Sequence, residues 1–180
     1  MRTASAIIFT VGVSFALLSP IPPAVAQDIE LPARKPGQWE IKMVADTPGA
    51  APDMTIVACV DAASDAEMMR AGLSMTKEMC PQQEMRREGD TIVIDTTCKI
   101  GPMDTKSHSV VTGDFQSAYT VTTTTETTGG LAAMAGTNVS KQEARWVSAA
   151  CSDGLAPGDM LMPGGMKTNV KDMMKMMGGG

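Results

Sequence analysis

The chain predicts a mainly β fold: an antiparallel meander of about seven strands forming a curved sheet or partly open barrel, with one short helix and a Met-rich C-terminal helix. Three observations carry this expectation. Short runs rich in β-branched residues recur between Gly37 and Cys151. Gly-Asp turns punctuate them at Gly89-Asp90 and Gly113-Asp114. Helix signals appear in only two places. Regular turn signals with few helices point to an antiparallel sandwich or barrel.

In chain order, residues 1–26 read as a secretory leader. Arg2 supplies a positive start, an apolar run of 13 residues covers 6–18, and Pro20, Pro22 and Pro23 break it. Ala24-Val25-Ala26 then presents the small-x-small pattern that signal peptidase accepts. The run is shorter than the roughly 20 residues that cross a bilayer. No cysteine follows it closely enough for lipid attachment. Cleavage is expected before Gln27, giving a periplasmic or secreted product. Residues 27–152 would then form a disulfide-bonded β domain, and 153–180 a Gly/Pro linker with an amphipathic tail.

Strands are expected at 39–44 and 54–60, separated by a Pro/Gly/Ala loop at 47–52. Between Cys59 and Cys80 lies one short helix, with Ser64 as its cap, Glu67 as the reciprocal partner and Gly72 at the stop position. Residues 85–98 form the best hairpin, turning at Gly89-Asp90 into the β-branched run 91–97. A second pair spans 107–112 and 115–128. The latter run holds seven threonines, which suits a sheet wetted on one side. The final strand is 139–149.

Four cysteines remain: Cys59, Cys80, Cys98 and Cys151. In an exported chain an even number reads as disulfides. Separations of 21, 18 and 53, without a C-x-x-C or a Cys/His cluster, do not fit a zinc site. A simple meander places the first three at one end of the sheet and Cys151 at the other. The pairing favoured is Cys59–Cys80 with Cys98–Cys151, although the hairpin could also set Cys80 opposite Cys98.

The tail is the compositional oddity, because seven of the 17 methionines fall at 160–177. A helix is expected over 167–177, with Met166, Val170, Met173, Met174 and Met177 on one face and Lys167, Lys171 and Lys175 on another. Thioethers suit Cu(I), so Met160, Met162, Met166, Met173, Met174, Met176 and Met177 form the candidate metal set of an alternative reading. Methionine is equally an adaptable hydrophobe that fills irregular gaps. A Met/Val face beside a lysine stripe could also rest weakly on an anionic membrane surface.

Composition excludes more than it assigns. With 20 acidic and 15 basic residues, net charge −5 and six aromatics, the chain lacks both the basic patch and the stacking platform of a nucleic-acid binder. The single histidine, His108, lies in a strand pattern whose neighbouring serines point to the other face, so they form no local dyad with it. Neither a G-x-S-x-G nor a phosphate loop appears. A non-catalytic role is therefore expected.

Gly37-x-Trp39 resembles the opening of small ligand-binding barrels of the lipocalin type, which also carry a basic residue near the last strand. Here Arg145-Trp146 holds that place, and an arginine stacked on an indole would plug one end by cation–π contact. More specific is the ordered combination of a leader, Lys35-Pro36-Gly37-Gln38-Trp39-Glu40, Cys59, Cys80, Cys98 and a late Cys151. It resembles an uncharacterised bacterial exported family, domain of unknown function 3617, over roughly residues 36–151. That resemblance implies location and architecture but no mechanism. The expected role is binding a small apolar ligand or an envelope partner, with no cofactor. The alternative is Cu(I) binding by the tail.

Overall fold

The computed structural model describes residues 31–45, 53–130, 135–152 and 154–176. The leader, the expected 47–52 loop and Met177 lie outside the described residues. Among the described residues nine strands form one antiparallel sheet: β1 (Gly37–Ala45), β2 (Met54–Val60), β3 (Gln82–Glu88), β4 (Thr91–Ile100), β5 (Met103–Gly113), β6 (Ala118–Gly129), β7 (Gly136–Ser148), β8 (Asp159–Leu161) and β9 (Lys167–Asn169). Two helices accompany them, α1 (Ala62–Met79) and α2 (Val170–Met176). The spatial order is β3-β4-β5-β6-β7-β1-β2-β8-β9, so the sheet is open, with β3 and β9 at its edges. The mainly β antiparallel architecture is the expected one. The two added strands, β8 and β9, come from the stretch after Cys151.

The inner face is defined by register. Ile41 pairs with Ala144, Ala144 with Tyr119, Val121 with Val111 and Val111 with Ile92. Side chains alternate along a strand, so these apolar residues project to one side, where they join Trp39, Ala58, Val60 and Phe115 as the buried cluster. Further along β5 and β6 the same face turns to hydroxyls. Ser109 bonds Thr123 and Ser107 bonds Thr125, both at 2.9 Å. The threonine-rich strand thus carries hydroxyls on both faces and valine only where the cluster needs it.

The helix between the first two cysteines is longer than expected and starts earlier. Asp61 is its N-cap: the Asp61 carboxylate accepts from the Ser64 amide at 2.7 Å, and Ser64 Oγ accepts from the Asp61 amide at 2.9 Å. That contact holds the Asp61 carboxyl below its usual range. Ser64 is therefore the reciprocal partner and not the cap, and Glu67 takes no part. Gly72 does not stop the helix, which runs on to Met79. An interior glycine costs about 1 kcal/mol against alanine, and anchorage at both ends outweighs it: the capping box at one, the Cys80 disulfide at the other.

The disulfides are Cys59–Cys151 and Cys80–Cys98, which corrects the favoured pairing. The reason is topological. Neighbouring strands are antiparallel throughout, and β2 and β3 lie six places apart, so the two run in the same direction. Helix α1, about 27 Å long at 1.5 Å per residue, returns the chain between them. Cys59 at the end of β2 and Cys80 before β3 therefore sit at opposite ends of the sheet. Strand β7 lies beside β1 and runs with β2, which brings Cys151 to Cys59 with Cα atoms 5.8 Å apart. Gln82 pairs with Thr97, and that register brings Cys80 to Cys98.

The expected helix over 167–177 begins three residues later. Residues 167–169 pair with β8 as β9, and α2 follows. Strand β8 continues the sheet beside β2. Asp159 fixes this segment, accepting from the Asn169 amide at 2.7 Å and from the Ala156 backbone at 2.9 Å. Those bonds, the Asn169 bond foremost, lower its pKa.

Candidate functional site

The Gly37-x-Trp39 region is a structural seam. Trp39 is completely buried, donates from Nε1 to the Lys35 carbonyl at 2.8 Å and faces Tyr119 at 5.6 Å between ring centroids. Trp146 donates to the Pro36 carbonyl at 3.0 Å, and Lys35 Nζ lies 3.7 Å over its ring. Gly37, at φ +128°, passes so close to β7 that a Cβ would lie 2.2 Å from the Ser148 carbonyl oxygen, a position only glycine fills. Gln38 Oε1 accepts from Ser152 N and Oγ at 2.7 and 2.8 Å. Glu40 meets Arg145 in a two-pronged pair of 3.0 and 3.1 Å.

These bonds revise the expected cation–π plug. Arg145 pairs in register with Glu40 on the outer face, and alternation places Trp39 on the other side. The cation over an indole is Lys35, and its indole is Trp146. The seam joins β1 to β7 and leaves its motif residues engaged with one another.

The open space lies across the sheet, beneath the helices. A cleft of about 460 Å³ is bounded by Met68, Met69 and Gly72 of α1, by Val170 and Met173 of α2, and by Ile41, Val111, Tyr119, Val121 and Ile94 of the sheet. Its few polar groups include Ser109 and Gln142, and Gln142 Nε2 lies 3.4 Å from the Tyr119 hydroxyl. A largely apolar cleft with sparse polar groups is the usual form of a small-molecule site. On the other flank of α1 a second groove, about 610 Å³, is lined by Leu31, Ala62, Met69, Leu73 and Met85 with Arg70 and Lys77. Leu31, Asp65 and Met69 line both.

Between the two spaces sits a buried ion pair. Arg34 Nε is 2.6 Å from Asp65 Oδ1, with side chains 11% and 3% exposed, and the Arg34 amide donates to Oδ2 at 2.9 Å. Arg34 also reaches Met68 Sδ at 3.2 Å. The pair ties the chain before β1 to the first turn of α1 and neutralises the carboxylate that faces the cleft. Sequence reasoning missed it. The available signal was Asp65 itself, an acid between Ser64 and Ala66 in a helix that had to bury a face.

Of the seven tail methionines, Met160 and Met173 line the cleft. Met162 and Met174 are half-buried elsewhere, Met166 and Met176 are 64% and 79% exposed, and Met177 lies outside the described residues. The helix face expected to gather them is divided because residues 166–169 belong to the turn and strand before α2. His108, on the outer face, holds Asp95 at 2.7 Å through Nδ1. Asp95 also binds Arg86, and the two contacts, Arg86 first, lower its pKa. Among the described residues no group of three or more His, Cys, Asp or Glu is placed to hold a metal.

The class this architecture defines is an open antiparallel sheet, fastened by two disulfides, with an apolar inner face sheltered by helices. A family model described as protein of unknown function (DUF3617) matches residues 34–151, and the chain belongs to that family. No curated protein and no solved structure matches it. The match begins at Arg34 and ends at Cys151, so it takes in the ion pair, the seam and both disulfides. The segment from β8 to α2, which supplies Met160, Val170 and Met173 to the cleft, lies beyond it. Among the described residues no helix is long and apolar enough to cross a membrane, and two disulfides fit an oxidising compartment.

Proposed function

We propose that this is an exported, non-catalytic protein that binds a small apolar ligand in the cleft between the helices and the inner face of the sheet. One observation carries the reading: helices from two distant parts of the chain lie over the apolar half of the sheet and leave about 460 Å³ between them. That volume is within the roughly 300–1,000 Å³ of small-molecule sites. Trp39, Ala58 and Val60 are buried and border neither space, so the space is local to the helix contact.

Gly72 permits a direct test. It lines the cleft from mid-helix, and a Cβ built there meets nothing within 4 Å. Gly72→Phe is expected to fill the space while stability holds or rises by roughly 0.5 kcal/mol, because glycine is a poor helix former. The probe is N-phenyl-1-naphthylamine, a neutral fluorophore that brightens in apolar surroundings. The native protein should bind it, and Gly72→Phe should weaken binding at least about tenfold, or roughly 1.4 kcal/mol. Equal binding by both proteins would place the ligand elsewhere.

A second reading, Cu(I) binding, is favoured by one feature: Met68, Met69, Met160 and Met173 all border this cleft, and thioethers are soft ligands. Met160→Leu with Met173→Leu, nearly isosteric changes, would then abolish stoichiometric Cu(I) uptake. The Met166→Leu/Met176→Leu pair would leave it intact.

A further inference from the structure

We infer that the ligand of this cleft is an anionic single-chain amphiphile, such as a fatty-acid carboxylate, with its head held by Arg70 and Lys77 in the second groove and its chain in the apolar cleft. This rests on the binding reading above and adds the chemical class. Leu31, Asp65 and Met69 border both spaces, so the two are adjacent, and the proposed molecule would run past Leu31 and Met69 from one to the other. Their chemistry differs. The cleft beneath the helices offers mostly hydrocarbon and thioether, whereas the groove combines Leu73 and Met85 with two cations.

Those cations are seven residues apart on α1, two helical turns along one face. Arg87 stands two residues beyond Met85 on β3, and alternation puts it on the same side of the sheet. None of the three is ion-paired with a described residue, whereas Arg34, Arg86 and Arg145 all are. Asp65, the carboxylate shared by both spaces, is already neutralised by Arg34. In a chain of net charge −5, a cationic rim beside an apolar groove is complementary to one negative head carrying a hydrocarbon tail. A neutral apolar molecule would leave the rim without a counter-charge among the described residues, and a polar anion would leave the cleft without an occupant.

The test compares laurate with 1-dodecanol, which share a chain and differ in the head, by displacement of N-phenyl-1-naphthylamine from the full-length chain and from its R70Q/K77Q variant. Both changed residues are exposed, and near-ultraviolet circular dichroism checks that the variant keeps its fold. The native protein should prefer laurate by about tenfold, the scale of a charge-assisted hydrogen bond. In R70Q/K77Q that preference should vanish while dodecanol binding stays unchanged. Equal affinities in the native protein, or a laurate preference that survives in the variant, would overturn the head assignment and leave the apolar cleft standing. Binding of neither compound would overturn both.

Discussion

The seam between β1 and β7 and the cleft beneath α1 are built from opposite uses of the same sheet. At the seam, Trp39 is sealed, both indole N–H groups find backbone carbonyls, and Gly37 leaves no room even for a methyl group. Beneath α1, side chains that would meet in a filled core stand apart across about 460 Å³. The seam holds the most distinctive short motif in the chain, yet its polar groups are consumed by internal contacts. The cleft is lined by alanine, methionine, valine and isoleucine drawn from seven segments, none of which forms a motif. A short motif can therefore mark where a fold is fastened, while the site with chemical capacity is assembled from ordinary residues.

Three perturbations separate the regions, beginning with the largest effect. Removing Cys59–Cys151, which spans 92 residues, by paired alanines is expected to cost roughly 4–5 kcal/mol on the chain-entropy model, against about 3 for Cys80–Cys98 across 18. Urea midpoints of the two double variants measure the difference, and peptide mapping of the oxidised protein tests the pairing. A reversed order would mean that the seam is not where the chain is held.

Trp39→Ala comes next, at about 3–5 kcal/mol for a large buried side chain. Its loss should lower stability far more than Gly72→Phe, which alters the cleft at almost no structural cost. If Trp39→Ala abolished fluorophore binding while leaving the urea midpoint unchanged, the seam itself would be the ligand site.

Smallest is Glu40→Ala. Its pair with Arg145 is well formed but sits on the outer face, with side chains 37% and 64% exposed. Exposed pairs contribute about 0–1 kcal/mol. A thermal scan should show little change, less still at high salt. A loss above roughly 2 kcal/mol would show that this pair, and not Trp39, Gly37 and Gln38, carries the β1–β7 register.

How far the site was legible follows from the range over which each signal acts. The Gly89-Asp90 and Gly113-Asp114 turns and the β-branched run before Cys98 are local, and strands formed around them as expected. The helix was legible in kind but displaced: Asp61 and Ser64 formed the capping box one step earlier than Ser64 and Glu67 would have. Gly72 did not end it because the capping box and a disulfide hold its two ends. The tail misled for the opposite reason. The first residues of the expected helix were recruited as β9, since the open edge of β2 offered backbone hydrogen bonds to β8, and β8 in turn to β9.

By itself the sequence determined an antiparallel β fold, a helix between the first two cysteines, the four-cysteine framework and the absence of the local motifs of several enzyme classes. Those properties depend on alternation, turn chemistry, capping and composition, all read within a few residues. Only the tertiary structure decided which cysteines meet, because that depends on α1 returning the chain across the sheet and on β7 docking beside β1. It alone brought Arg34 to Asp65, 31 residues apart, and placed Met68, Gly72 and Met173 over Val111, Tyr119 and Val121. Strand order and helix crossing are set by the burial of whole faces, a free energy summed over the entire sheet, which no short stretch of residues encodes.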